Sequence, residues 1–395
     1  MRPEFYPGNR LTLLNSGAEY FPALLAAIAS AEEQIWLETY IFAKDPVGDS
    51  VAKALADAAA RGVQVRLLVD GFGARNFRDD FAELLARAGV LTLEYRPEFG
   101  GGLKRHRLRR LHRKLAVIDG HTAFVGGINI VDDNNAPPEL RPRFDYAVRV
   151  EGEVIAAIST AMRRMWEIVA WANLKQRYRL HHIARPDCPP VGNQRAAFLI
   201  RDNIRHRNDI ANAYLEGIRQ AQHEILIASA YFLPGFRFRH ALHAAAQRGV
   251  KITVLLQGRS DHPLLLYATR ALYGSLLDEG MRIFEYHKSF LHAKAAVIDD
   301  QWATVGSSNI DPFSLLLAKE GNLLVADRAF AAALKNSLAQ AMADGAMELR
   351  QQDWQRAGLG ARLLHWVCYG AVRLLVGIAG YGPKHWQADV RQDNT

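Results

Sequence analysis

The stretches LHRKLAVIDG (residues 111–120) and LHAKAAVIDD (residues 291–300) are two copies of one pattern. Each sets a histidine and a lysine two residues apart, then an apolar run, then an Asp-led turn. Along a β-strand residues i and i+2 share a face, so His112 and Lys114 point the same way, as do His292 and Lys294. One such pair is an ordinary feature of an exposed strand. Two copies, each spaced His-x-Lys-x4-Asp and each followed by a Gly/Ser-rich step to an asparagine (Asn129, Asn309), do not recur by chance. An ammonium buried beside an imidazole is costly unless an anion is there to receive it. The repeated pair therefore points to a site that handles phosphate.

The repetition extends outward from this motif. AAIASAEEQIWLETYIF (26–42) resembles EGIRQAQHEILIASAYF (216–232), and ALADAAARGVQVRLLVDG (54–71) resembles ALHAAAQRGVKITVLLQG (241–258). Matched blocks in the same order, about 180 residues apart, indicate a duplicated unit. In each unit an Ala-rich helix ends at a glycine, Gly62 or Gly249, and a β-branched run follows directly. Asp119-Gly120 marks a tight hairpin. The expected fold is α/β: two duplicated α/β/α units, each a mixed sheet flanked by helices, packed as a pseudo-twofold pair with one active site at their interface. The first unit covers 1–171, a polar and Pro-rich linker 172–192, the second unit 193–345, and a C-terminal segment 346–395.

Hydrophobic residues make up 49% and charged residues 23% of the 395, which excludes a disordered or fibrous chain and leaves room for a large core. The net charge of +8 suggests an anionic partner: nucleic acid, an anionic lipid surface or a phosphorylated small molecule. The two cysteines, Cys188 and Cys368, lack metal-ligand spacing and suggest a reducing compartment without a disulfide framework. The N-terminal stretch MRPEFYPGNRLTLLNSG lacks a secretory leader and a membrane-spanning run, which suggests the cytoplasmic side.

The paired motifs resemble those of the phospholipase D superfamily, and the resemblance covers nearly the whole chain. It implies one active site holding both histidines and both lysines, a phosphohistidine intermediate, and neither metal nor cofactor. It implies that His112 is the nucleophile and His292 the general acid and base, a choice the sequence itself leaves open. The resemblance counts Asp119 and Asp299 within the catalytic motif. Their parity along the strand is opposite to that of the histidines, which assigns them instead to the turn. Lys114, Lys294, Asn129 and Asn309 are the expected donors to the phosphate oxygens. A nucleophilic imidazole also needs its second nitrogen held by an acceptor. Asp145 and Glu320 are the candidates, at similar distances beyond the histidine of their own half.

TVGSSNIDPFSLLLAKEGNL (304–323) is similar to the second-motif region of bacterial cardiolipin synthases. That likeness implies a phosphatidyltransferase making cardiolipin from phosphatidylglycerol at the cytoplasmic face of the membrane, as a peripheral protein. Many such synthases begin with two membrane-spanning helices, which this sequence lacks; it resembles a shorter subclass. Hydrolysis of phospholipids, a phosphodiesterase or nuclease activity, and binding without turnover are the alternatives. The basic stretch LKRHRLRRLHRK (103–114) suits an anionic membrane or a nucleic-acid backbone, yet lacks aromatics to stack bases, so nucleic acid is not an obligatory partner. ARLLHWVCYGAVRLLVGIAGYG (361–382) is expected to form an in-plane amphipathic helix. Leu363, Val367, Cys368 and Leu374 lie on its apolar face, and Arg362, His365, Trp366, Tyr369 and Arg373 on the other.

Overall fold

The computed structural model describes residues 3–97, 109–180, 188–260, 262–355 and 358–378. One 15-stranded mixed sheet runs through both halves. In the first half the spatial order is Leu91–Tyr95, Gln64–Asp70, Gln34–Thr39, Leu115–Ile118, Thr122–Gly126, Tyr146–Glu151 and Tyr6–Asn15. The second half repeats this order in mirror sequence outward from the seam: Gln194–Arg201, Glu320–Ala326, Trp302–Gly306, Lys294–Ile298, Glu224–Ser229, Lys251–Gln257 and Arg282–Tyr286. The strand Ala346–Leu349 pairs antiparallel with Arg282–Tyr286 and extends the outer edge, so the second sheet continues past residue 345.

The seam is the antiparallel contact between Tyr6–Asn15 and Gln194–Arg201, with Tyr6 opposite Ala196 and Asn9 opposite Gln194. One face of the sheet is covered by the helices Ile155–Ala172 and Arg328–Gly345, whose buried Ile158, Met162, Trp166, Leu334 and Leu338 belong to one apolar cluster spanning both halves. The opposite face carries a separate cluster in each half. A β-sheet with apolar residues on both faces must be covered on both, and the Ala-rich helices do this. Gly62 and Gly249 close their helices at φ +95° and +83°, as the left-handed position past a helix end favours. Beside them Arg61 and Arg248 reach back to cap the preceding helix, donating to the carbonyls of Ile28 and Ile218.

Asp119 and Asp299 are not brought to the catalytic face. They sit in the hairpin turns at φ 50° and 51°. The Asp119 carboxylate accepts the backbone N–H groups of Glu32, Glu33 and Gln34 at 2.7–2.9 Å. Asp299 accepts those of Gln222, His223 and Glu224 at 2.8–2.9 Å. Each carboxylate thus fastens the motif hairpin to the loop that starts the neighbouring antiparallel strand. A catalytic role is thereby replaced by a structural one, because opposite parity sends the side chain away from the imidazole.

The halves differ in one buried pair. Arg113, between His112 and Lys114, is buried and contacts the buried Glu38 at 2.6 Å. The duplicate carries alanine at both corresponding positions, Ala293 and Ala228, each in the apolar cluster. Breaking a buried ion pair leaves an uncompensated charge and costs on the order of 3–5 kcal/mol, whereas removing both charges is far milder. Arg113→Ala alone is therefore expected to lower the thermal midpoint sharply. Arg113→Ala combined with Glu38→Ala is expected to recover much of the loss. Additive midpoint losses in calorimetry would show that the pair is not coupled.

Candidate active site

The backbone around each histidine is held by the other half. His112 N–H donates to Lys319 O at 2.9 Å, and Lys319 N–H donates to Arg110 O at 2.8 Å. His292 N–H donates to Phe144 O at 2.8 Å, where Phe290–Leu291 pairs in parallel with Arg143–Phe144. The residue after Lys319 is Glu320, and the residue after Phe144 is Asp145. These short cross-half contacts carry the two carboxylates across the interface.

The pairing is therefore crossed. His112 Nδ1 lies 3.0 Å from the Glu320 carboxylate, and His292 Nδ1 lies 2.6 Å from that of Asp145. The sequence names the two carboxylates without assigning either to a ring; strand alternation aims each at the motif of the other half. With Nδ1 engaged, Nε2 is the nitrogen left for chemistry on the His112 ring. Both carboxylates are buried, but their surroundings differ. At Gly127 an added Cβ would lie 2.4 Å from the Asp145 carboxylate oxygens, so that position stays bare. The matching position of the second half is Ser307, whose hydroxyl donates to Glu320 at 2.6 Å. Burial pushes the Asp145 carboxyl up to about 6, against the pull of Lys294 and the Tyr146 N–H. Burial opposes ionisation of Glu320 too, yet His112, Lys114 and the Ser307 hydroxyl hold its carboxyl below the usual value.

Lys114 and Lys294 complete the constellation. Each ammonium donates to the carbonyl of its own histidine, Lys114 Nζ to His112 O at 2.5 Å and Lys294 Nζ to His292 O. Lys294 Nζ also stands 3.7 Å from Asp145. Burial, with the repulsion of Lys294 outweighed by Glu320, lowers the Lys114 ammonium to about 7. Burial likewise lowers His112, and the Glu320 carboxylate opposes that shift. Asn129 and Asn309 are buried. Their side-chain oxygens accept the N–H groups of Ile41 at 3.1 Å and Tyr231 at 3.5 Å, which leaves the NH2 ends as donors.

Sequence reasoning missed two residues on the first-half side. The Tyr40 ring stands edge-on to the His112 ring at 5.0 Å, with Lys114 Nζ 5.4 Å from its centroid. The buried Asp70 carboxylate accepts the Leu111 N–H at 2.8 Å and fixes the strand end that carries His112. The aligned blocks place Ala230 and Gln257 in the duplicate. Such differences between repeats are the signal that was available. Of the basic stretch 103–114, residues 103–108 lie outside the described residues.

Two imidazoles held at Nδ1 by carboxylates, beside two buried ammonium groups, define a phosphoryl- or phosphatidyl-transfer centre of the phospholipase D type. The family described as "Cardiolipin synthase, PLD-like domain" matches residues 24–166 and 214–342. Cardiolipin synthase B of Shigella flexneri is 41% identical over 350 residues, covering 86% of this chain and 81% of that protein. The major cardiolipin synthase ClsA of Bacillus subtilis is 32% identical over 329 residues, covering 82% and 67%. Phosphatidylserine synthase of Haemophilus influenzae has a similar fold, with a TM-score of 0.70 over 92% of this chain and 94% of that one at 14% identity. The chain belongs to the bacterial cardiolipin synthase family of the phospholipase D superfamily, and it is an enzyme.

Crossed pairing has a spectroscopic signature. In 15N-histidine spectra Glu320→Gln is expected to shift the ring signals of His112 and leave those of His292, with Asp145→Asn doing the reverse. The opposite result would restore pairing within each half. Lys114 is expected to set a pH limit as well. Its ammonium is present below about 7 and is lost as pH rises through that value. Because kcat/KM reports the free enzyme, it is expected to fall above neutral pH. Lys114→Arg, whose guanidinium stays charged, is expected to move that limb to higher pH. An unmoved limb would exclude Lys114 as its origin.

Proposed function

We propose that the enzyme transfers phosphatidyl groups through a phosphohistidine intermediate, making cardiolipin from two molecules of phosphatidylglycerol. In the first half-reaction the Nε2 of His112 attacks the phosphorus of the donor lipid. The N–P bond forms as the bond to the glycerol oxygen breaks, and His292 gives that oxygen its proton. In the second, a hydroxyl of another phosphatidylglycerol loses its proton to His292 and attacks the phosphorus. The N–P bond then breaks and His112 is restored. One phosphodiester replaces another, so no external energy source is needed.

The observation that carries this reading is the crossed pair of carboxylate-held imidazoles. The two halves bring two rings to one cluster, as attack and departure on opposite sides of a phosphorus require. Lys114, Lys294, Asn129 and Asn309 supply donors to the nonbridging oxygens, where charge grows in the transition state. Burial favours the neutral ring of His112 near pH 7, the form that can attack. Among the described residues no helix is long and apolar enough to cross a membrane. The proposed placement is peripheral, at the cytoplasmic face, where the lipid substrate lies.

Pure protein incubated with vesicles containing labelled phosphatidylglycerol is expected to yield cardiolipin and free glycerol, with phosphatidic acid as a minor product. His112→Ala is expected to abolish the acid-labile covalent phosphoenzyme. His292→Ala is expected to slow both half-reactions by roughly 10² to 10⁴-fold, the usual worth of general acid–base help. Chelators are expected to leave the rate unchanged. Phosphatidic acid as the sole product would make the enzyme a phospholipase, and cleavage of single-stranded DNA at a comparable rate would make it a nuclease.

A further inference from the structure

The C-terminal helix Leu359–Ile378 has two faces, and they divide differently from the expectation. His365, Cys368, Val372 and Val376 are buried, Val372 to 0% exposure. They dock on the helix Pro263–Arg270. The His365 ring is stacked between Tyr267 at 5.7 Å and Trp354 at 5.5 Å. His365, which the pattern put on the polar face, is thus part of the protein core. The opposite arc carries Leu363, Leu364, Trp366, Val367, Leu374 and Leu375, between 47% and 67% exposed. Large apolar side chains grouped on one exposed face mark a surface that another body covers.

Three features indicate what covers it. The only charged residues of this helix are Arg362 and Arg373, both exposed, and the helix contains no Asp or Glu. At 100° per residue both arginines fall on one flank of the apolar arc, next to Trp366. That arrangement of an apolar face, an aromatic and basic groups at its border matches the interfacial depth profile of a bilayer with anionic headgroups.

The position in the fold agrees. The docking helix Pro263–Arg270 follows the C-terminal end of the strand Lys251–Gln257. Ser229, at the same end of the neighbouring strand, pairs with Lys294, so His292 emerges at this sheet edge. Leu264 and Phe236, which begin the helices leaving the two strands, are 39% and 55% exposed. The C-terminal helix is therefore fastened to the element that rises beside the catalytic pocket.

We propose that the outward face of the helix Leu359–Ile378 is a docking surface for an anionic phospholipid bilayer, with its inward face clamped to the body by His365. The helix lies in the plane of the membrane and holds the pocket mouth against the lipid. This rests on the reading that the substrate is a membrane phospholipid.

The test uses the full chain and a variant, Leu363→Glu with Val367→Glu and Leu374→Glu. All three positions are exposed, so the fold is expected to survive, with an unchanged thermal midpoint. Sedimentation with vesicles of phosphatidylcholine and phosphatidylglycerol is expected to show binding weakened on the order of tenfold or more. High salt is expected to weaken wild-type binding in the same assay, because Arg362 and Arg373 act through screened attraction. Turnover of a short-chain phosphatidylglycerol below its micellar concentration is expected to stay at the wild-type rate. Failure of the wild type to turn over that soluble lipid would sink the functional reading and leave the sedimentation result standing. The docking proposal is overturned if the variant sediments like wild type, or if wild type does not sediment at all. It is also overturned if light scattering shows a wild-type dimer that the variant breaks without losing vesicle binding. In that last case a second copy of the chain is the occupant.

Discussion

Each motif imidazole is held at Nδ1 by a carboxylate from the opposite half of the chain, and the rest of the molecule is arranged to make that possible. An imidazole whose Nδ1 is engaged presents Nε2 in a fixed tautomer and direction. Supplying the acceptor from the other half makes neither half sufficient. The 2.6 Å contact of His292 with Asp145 and the 3.0 Å contact of His112 with Glu320 exist only when the two sheets are joined. The seam between Tyr6–Asn15 and Gln194–Arg201, and the apolar cluster that runs under both halves, keep the two sheets in one register. Chemistry and domain association are thus the same requirement.

Duplication supplies the symmetry, and small departures from it make the surroundings of the two rings unlike. Ser307, which stands where the first half has Gly127, adds a hydroxyl donor to Glu320; against burial, His112 and Lys114 chiefly hold that carboxyl below its usual value, while burial pushes Asp145 up to about 6. Tyr40 and Asp70 crowd the first histidine and have Ala230 and Gln257 as counterparts. The Arg113–Glu38 pair fills a place that two alanines fill in the duplicate. The proposed mechanism needs imidazoles of opposite protonation, and identical halves would give them the same one. Differences confined to the residues around each ring separate them without altering the fold.

The two motif aspartates show how a recurring residue can be invariant to a site without entering it. Asp119 and Asp299 each collect three backbone N–H groups from the loop that begins the adjacent strand. Those N–H groups have no ladder partner at a strand start, and a carboxylate satisfies them together. The turn fixes the hairpin, and the hairpin fixes the His-x-Lys pair on its far end. In the proposed mechanism their contribution is positional.

The sequence by itself determined everything that depends on neighbours along the chain. It determined the duplication, the common face of His112 with Lys114 and of His292 with Lys294, the hairpin turns, the helix ends at Gly62 and Gly249, and the exile of the aspartates to the turn. Alternation and helical periodicity are local rules, and the residues obey them. The tertiary structure alone decided which carboxylate meets which histidine, because Glu320 and His112 are brought together across the interface and not by spacing. It decided the seam strand Tyr6–Asn15, which Pro7, Gly8 and Asn9 disguise in the sequence. It also decided the orientation of the C-terminal helix. Periodicity divided its faces otherwise, with Cys368 among the leucines and His365 with Trp366 among the polar groups, but packing buried His365 and Cys368 together and left Trp366 with the exposed leucines. A hydrophobic stripe states that a face is apolar; only the surfaces already present in the fold state what it packs against.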